Sequence, residues 1–88
     1  MKNTIAQIIG TIPSGCFFDS HYVISMIIER GSDVYIHFAG PEETTAQMHG
    51  RIAVLVSTLP DLCRPTGNQS WSHNIHHTPG VCALWERI

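Results

Sequence analysis

Ile5, Ile8, Ile9 and Ile12 recur at i, i+3, i+4 and i+7, the spacing that lines one face of an α-helix. A second stripe follows in Tyr22, Val23, Met26 and Ile27, widened by Ile24 and Ile28, and a third in Met48, Ile52, Leu55, Val56 and Leu59. Apolar faces of this kind must be buried against one another, so the chain is committed to a helix-lined core. The punctuation agrees with the stripes. Asn3 or Thr4 can cap the first segment, and Pro13 with Gly15 ends it. Asp19 and Ser20 offer an N-cap to the second, which Glu29 and Arg30 close and for which Gly31 suits the position just past the end. Thr44 with Gln47 fits a capping box for the third, and Pro60 stops it. Helices are thus predicted near 4–12, 20–30 and 44–59.

The remaining segments read less uniformly. Cys16-Phe17-Phe18 is either a brief strand or an extended entry into the next helix. Over 32–39, Val34, Ile36 and Phe38 alternate as in a strand, yet Ser32 or Asp33 could cap a short helix. Its place between two helices favours the short helix. Leu62 to Arg64 and the apolar run Val81 to Trp85 predict a ribbon over 62–65 and 81–87, joined by a turn-rich loop over 66–80. The expected core is Ile5, Ile8, Ile9, Ile12, Val23, Ile24, Ile27, Ile52, Val56, Leu59, Leu84 and Trp85.

Eighty-eight residues make one domain, 1–88. A chain this short buries about 60–65% of its unfolded surface, so its core is small. A hydrophobic fraction of 43% sets it apart from disordered chains. Three cysteines, an odd count without framework spacing, point to free thiols in a reducing compartment. Only Lys2 precedes a short apolar run, and no stretch reaches membrane-spanning length. A cytoplasmic protein without membrane contact is expected, and the Asn68-Gln69-Ser70 glycosylation acceptor is read as chance.

The order of helix, short extended piece, helix, helix, strand, long loop and strand resembles a winged helix, the helix-turn-helix variant with a terminal β-ribbon. The expected fold is therefore α+β: a small winged-helix-like domain of three main helices followed by a two-stranded β-ribbon with a long loop, the wing. The segment from Ser32 to Glu43 lengthens the connection between the second and third of those helices relative to that family. The resemblance implies a small regulatory or accessory protein, acting on nucleic acid or within a nucleic-acid-associated assembly. In that family the third helix enters the major groove and the wing meets the backbone or minor groove. Carried over by position, Gln47 and Arg51 would read base edges, while Arg64, Asn68, Gln69 and His73 would meet phosphate or groove edges. The charge balance opposes this: five dispersed cations against seven acids give a net charge of −2, and DNA affinity rests heavily on phosphate neutralisation.

Two other readings stand beside it. One is a protein-interaction module or inhibitor without nucleic-acid contact. Trp71, in the middle of the predicted loop, would be its anchor, because exposed tryptophans are typical hot spots; Tyr35 and Phe38 would extend the patch. The other is a zinc-stapled domain, since His73, His76, His77, Cys82 and Cys63 are the ligand types zinc prefers. Their spacing matches no standard zinc module, so no metal and no cofactor is expected. Catalysis is not expected either. Cys16 with His21, or Ser72 with His73, are sequence neighbours, and neighbours alone do not define a catalytic pair. The glycines are isolated and form no phosphate-binding loop. Partners are therefore DNA or another protein, with a homo-oligomer compatible with either.

Overall fold

A computed structural model describes all of residues 1–88. Four helices and three strands follow in the order α1 (Lys2–Gly10), β1 (Phe17–Asp19), α2 (Ser20–Arg30), α3 (Ser32–Phe38), α4 (Thr45–Ser57), β2 (Cys63–His73) and β3 (Pro79–Arg87). The fold is α+β with a single antiparallel sheet of order β1-β3-β2.

The helical stripes form as their spacing dictates. Helix α1 buries Ile5, Ile8 and Ile9. It starts two residues before the predicted boundary and ends at Gly10, so Ile12 lies beyond it in a tightened turn and is only half-buried. Helix α2 matches its expected range; the Asp19 carboxylate accepts the Tyr22 N–H at 2.8 Å, and Val23, Ile24 and Ile27 are buried. Helix α3 is the short helix favoured over a strand at 32–39. Its inward residues are Val34, Tyr35 and Phe38, a helical spacing, while Ile36 stands in solvent. The apparent strand alternation therefore breaks at its middle residue.

Helix α4 carries the capping box anticipated from Thr44 and Gln47. The Gln47 N–H donates to Thr44 Oγ1, and the Thr44 N–H donates to Gln47 Oε1. The helix closes at Ser57, two residues short of the predicted end, because Thr58 and Leu59 tighten into i→i−3 bonds ahead of Pro60. Gly31 suits the α2–α3 junction for a reason other than a left-handed backbone. Its φ is −143°, and a Cβ there would approach Thr4 Cγ2 to 3.3 Å, so α1 packs directly against it.

The C-terminal region departs most from expectation. In place of a short two-stranded ribbon with a loop over 66–80, β2 and β3 pair from Cys63↔Arg87 to His73↔Pro79. The turn signals at 66–68 are absorbed as an irregularity between Pro65 and Gln69, with Gly67 at φ +80°. The true reversal is confined to 74–78. There Asn74 closes an Asx turn, its Oδ1 accepting the His76 and Thr78 N–H groups, and His77 adopts φ 59°. Cys16-Phe17-Phe18 resolves as the third strand: Phe17–Asp19 pairs with Leu84–Glu86.

The core lies between the helices and the base of the sheet. Ile5, Ile9, Val23, Ile27, Ile52 and Val56 are fully buried, joined by Phe18, Cys63 and Trp85. Burying each large apolar side chain contributes about 1.5–3 kcal/mol. Leu59 and Leu84, expected in this core, are half-buried at its rim. Arg87 ties the sheet to the helices: its guanidinium donates to the carbonyls of Ile9 and Leu62, and its backbone bonds Gly15 and Cys16.

Candidate functional site

Beyond the core the β2–β3 ribbon continues as two strands, because β1 pairs only with Leu84–Glu86. Side chains alternate across a strand, and the burial pattern follows that alternation. On one face Ser70, Ser72, Gly80 and Cys82 are half-buried; on the other Gln69, Trp71, His73, Pro79, Val81 and Ala83 are exposed. The two faces have different tasks.

The half-buried face is fastened to the start of α2. Ser70 Oγ donates to Asp19 Oδ2 at 2.7 Å, and Ser72 Oγ meets His21 Nδ1 at 2.7 Å. Partial burial pushes the Asp19 carboxyl up, but hydrogen bonds from Ser70, the Tyr22 N–H and Ser72 outweigh it and hold the group below its ordinary value. The Trp85 indole N–H donates to Ser20 Oγ beneath, and Ile75 of the hairpin turn packs on the core. Asp19, His21 and Ser72, with Tyr22, Asn74 and Ile75, line an open cleft of about 520 Å³ between α2 and the hairpin.

The opposite face is unfastened. Trp71 and Val81 are directly opposed in the register, with 71% and 50% of their surface exposed, and Gln69↔Ala83 and His73↔Pro79 flank them. From Pro65 to Trp85 the chain contains no Asp, Glu, Lys or Arg. That silence, together with the Gln-Ser-Trp-Ser-His alternation, is the sequence signal that a loop reading of 66–80 passes over.

The residues expected to meet nucleic acid fall into separate groups. Gln47 is tied into the α4 capping box through its Oε1. Arg51 is on the exposed face of α4, forked onto Glu43, donating to the Phe38 carbonyl at 2.7 Å and stacked 4.0 Å above the Phe38 ring. The pair holds Glu43 below, and Arg51 above, its ordinary value. Glu42, Glu43, Gln47, Arg51 and Val54 share one shallow hollow. Arg64 lies at the base of the ribbon in an ion pair with Glu86 at 2.7 Å. Asn68 is in the β2 irregularity, where its N–H donates to Thr66 Oγ1. Only Gln69 and His73 lie beside Trp71 on the exposed ribbon face.

The candidate zinc ligands are not brought together: no group of three or more histidine, cysteine or acidic side chains has metal-holding geometry. Cys63 is buried in the core, where its thiol donates to the Val56 carbonyl at 3.6 Å and burial pushes its pKa up. Cys82 sits opposite Ser70, and all three thiols are free. Tyr35 and Phe38, proposed as extensions of a Trp71 patch, belong to α3; Tyr35 bonds His49 Nε2 and Phe38 supports Arg51. The serine that meets a histidine is Ser72 with His21, not with its neighbour His73. No carboxylate is bonded to that His21 ring, so a Ser-His-Asp relay is not assembled. No helix is long and apolar enough to cross a membrane.

Comparison with protein-family models, with curated proteins and with solved structures yields no match to this chain.

Proposed function

We propose that this chain is a winged-helix-like accessory protein that acts through a protein contact on the exposed face of its β2–β3 ribbon, within a larger assembly. The element order supports the winged-helix-like reading: helices with the short strand β1 between the first two, then a terminal ribbon that extends beyond the last of them, with α3 as an additional helix in the connection. The observation that carries the functional reading is the exposed Trp71–Val81 pair on the outer part of the ribbon, where no residue from Pro65 to Trp85 carries a formal charge. An apolar pair rimmed by uncharged polar groups is the composition of an interface centre, where charge is depleted and tryptophan enriched.

Electrostatics favour a protein contact over direct nucleic-acid binding. Arg51 and Arg64, the cations expected at phosphates, are each paired with a glutamate, and Arg87 is spent on backbone carbonyls. Little unpaired positive charge is left to displace counterions.

The test compares the parent protein with Trp71→Ala and with the double variant Arg51→Ala, Arg64→Ala. Each is immobilised against a lysate of the source cells, captured proteins are identified by mass, and each is separately titrated with mixed-sequence duplex DNA at two salt concentrations. A specific protein captured by the parent and by the arginine variant, lost on Trp71→Ala and insensitive to salt, is the expected result. Duplex binding that weakens steeply with salt, falls in the arginine variant and ignores Trp71→Ala would overturn the proposal.

A further inference from the structure

We infer that the open edge of β2 pairs with the same edge of a second copy of this chain, Gln69–His73 running antiparallel to its counterpart about Trp71. The inference rests on the ribbon being the working surface, and it names a partner for the edge of the ribbon while leaving the face to another protein.

Three observations converge on this edge. First, β2 is an outer strand of the sheet, and the backbone of 69–73 bonds no element other than β3. Its outward N–H and C=O groups are a pairing template. Second, the devices that normally blunt such an edge are confined to one half of the strand. Pro65 and the irregularity around Gly67 protect the part near the core. The part from Gln69 to His73 has no proline, bulge or charge.

Third, the segment suits pairing with itself. A two-fold contact requires each residue to meet its mirror in the sequence, and Gln69-Ser70-Trp71-Ser72-His73 is nearly palindromic. Centred on Trp71, the register sets Trp71 against the partner's Trp71, Ser70 against the partner's Ser72 and Gln69 against the partner's His73. No like charges meet, and the small serines let the backbones approach.

A two-fold axis normal to the sheet keeps both exposed faces on one side. The row then reads Val81, Trp71, the partner's Trp71, the partner's Val81 across four strands. Aromatic side chains bury about 150–250 Å² each. Each Trp71 has 71% of its surface free and meets its counterpart along one side only, so this contact is smaller than the roughly 1,000 Å² of a stable specific interface. The dimer is accordingly weak and concentration-dependent.

Sedimentation velocity of the full chain over a wide concentration range tests this, on the parent, Trp71→Lys and Val81→Lys. The parent is expected to pass from monomer to dimer as concentration rises. Trp71→Lys, which places two ammonium groups at the two-fold axis, is expected to weaken the dimer more than tenfold. Val81→Lys, on the strand that does not pair, is expected to keep the dimer while losing the protein captured by the ribbon face. Under mild oxidation Trp71→Cys is expected to cross-link to itself and Arg64→Cys is not. A parent that stays monomeric throughout, or a dimer indifferent to Trp71→Lys, overturns the inference. If that monomer still captures a protein in a Trp71-dependent way, the functional reading survives without the dimer.

Discussion

Ser72 Oγ stands 2.7 Å from His21 Nδ1 and so joins the far end of the ribbon to the first turn of α2 across 51 residues of sequence. With the Ser70–Asp19 bond beside it, this contact decides which face of the ribbon is held down and which is left to solvent. Asp19 has two duties there, capping α2 and anchoring Ser70. Asp19→Ala removes both and is expected to cost about 2 kcal/mol, while Ser72→Ala costs about 1 kcal/mol. Hydrogen exchange checks the mechanism: in both variants amides of 69–73 and 79–83 should exchange faster than those of α4.

Ile27 is completely buried in the core cluster that also holds Ile5, Ile52 and Trp85. Ile27→Asp places an uncompensated carboxylate there and is expected to cost several kcal/mol. A thermal melt coinciding with that of the parent would mean that this face of α2 is not the one buried.

Gly67 occupies the left-handed region at φ +80°, and nothing lies within 4 Å of where its Cβ would be. Backbone strain is therefore isolated from steric clash. Gly67→Ala should destabilise by about 1–2 kcal/mol, with the trimmed space having no compensating effect. Denaturant unfolding at constant m-value is the measurement.

His49 provides the pH dependence. Burial, then the neighbouring His76 and His21, hold its pKa below the ordinary histidine value, and its Nε2 lies 2.8 Å from the Tyr35 hydroxyl. Below about pH 6.5 the unfolded chain takes up a proton at this residue that the folded chain resists. Stability from this source is thus complete above that pH and declines as pH falls through the window down to the depressed folded value. Asp19, also depressed, adds a further loss at more acid pH. Melting temperature should fall between neutral and mildly acid solution, and His49→Gln should flatten that fall.

Trp71 and Trp85 are the two tryptophans, one exposed and one buried. In Trp71→Phe the remaining emission should be blue-shifted and resistant to iodide, with stability within about 0.5 kcal/mol of the parent. Emission that stays accessible to iodide would show that Trp85 is not the core residue.

The helices were legible because their information is local. Ile5, Ile8 and Ile9 declare a face by spacing alone, and Thr44 with Gln47 declares a start by reciprocal hydrogen bonds. The ribbon was only half legible. Gly67, Asn68 and Asn74 all carry turn chemistry, but one cluster makes an irregularity within a strand and the other makes the reversal. Which is which depends on the pairing of Gln69 with Ala83, a long-range fact. Trp71 was visible as a candidate contact, yet its exposure depends on the Asp19 and His21 anchors on the opposite face. The engagement of Arg51 was equally hidden: Glu43 and Phe38 reach it only once α3 and its connection to α4 have folded.

The sheet order β1-β3-β2 puts the last strand in the chain between the other two. Neither β1 nor β2 has a ladder to join until β3 exists, and Phe17 must wait for Glu86. On an elongating chain the helices can form and collapse early, but sheet formation is deferred to the end of this segment's synthesis. Contacts of such long sequence separation slow folding. Throughout that interval the uncharged part of β2, from Pro65 to His73, is present without its partner strand. This protein is then expected to be most vulnerable to aggregation during its own synthesis.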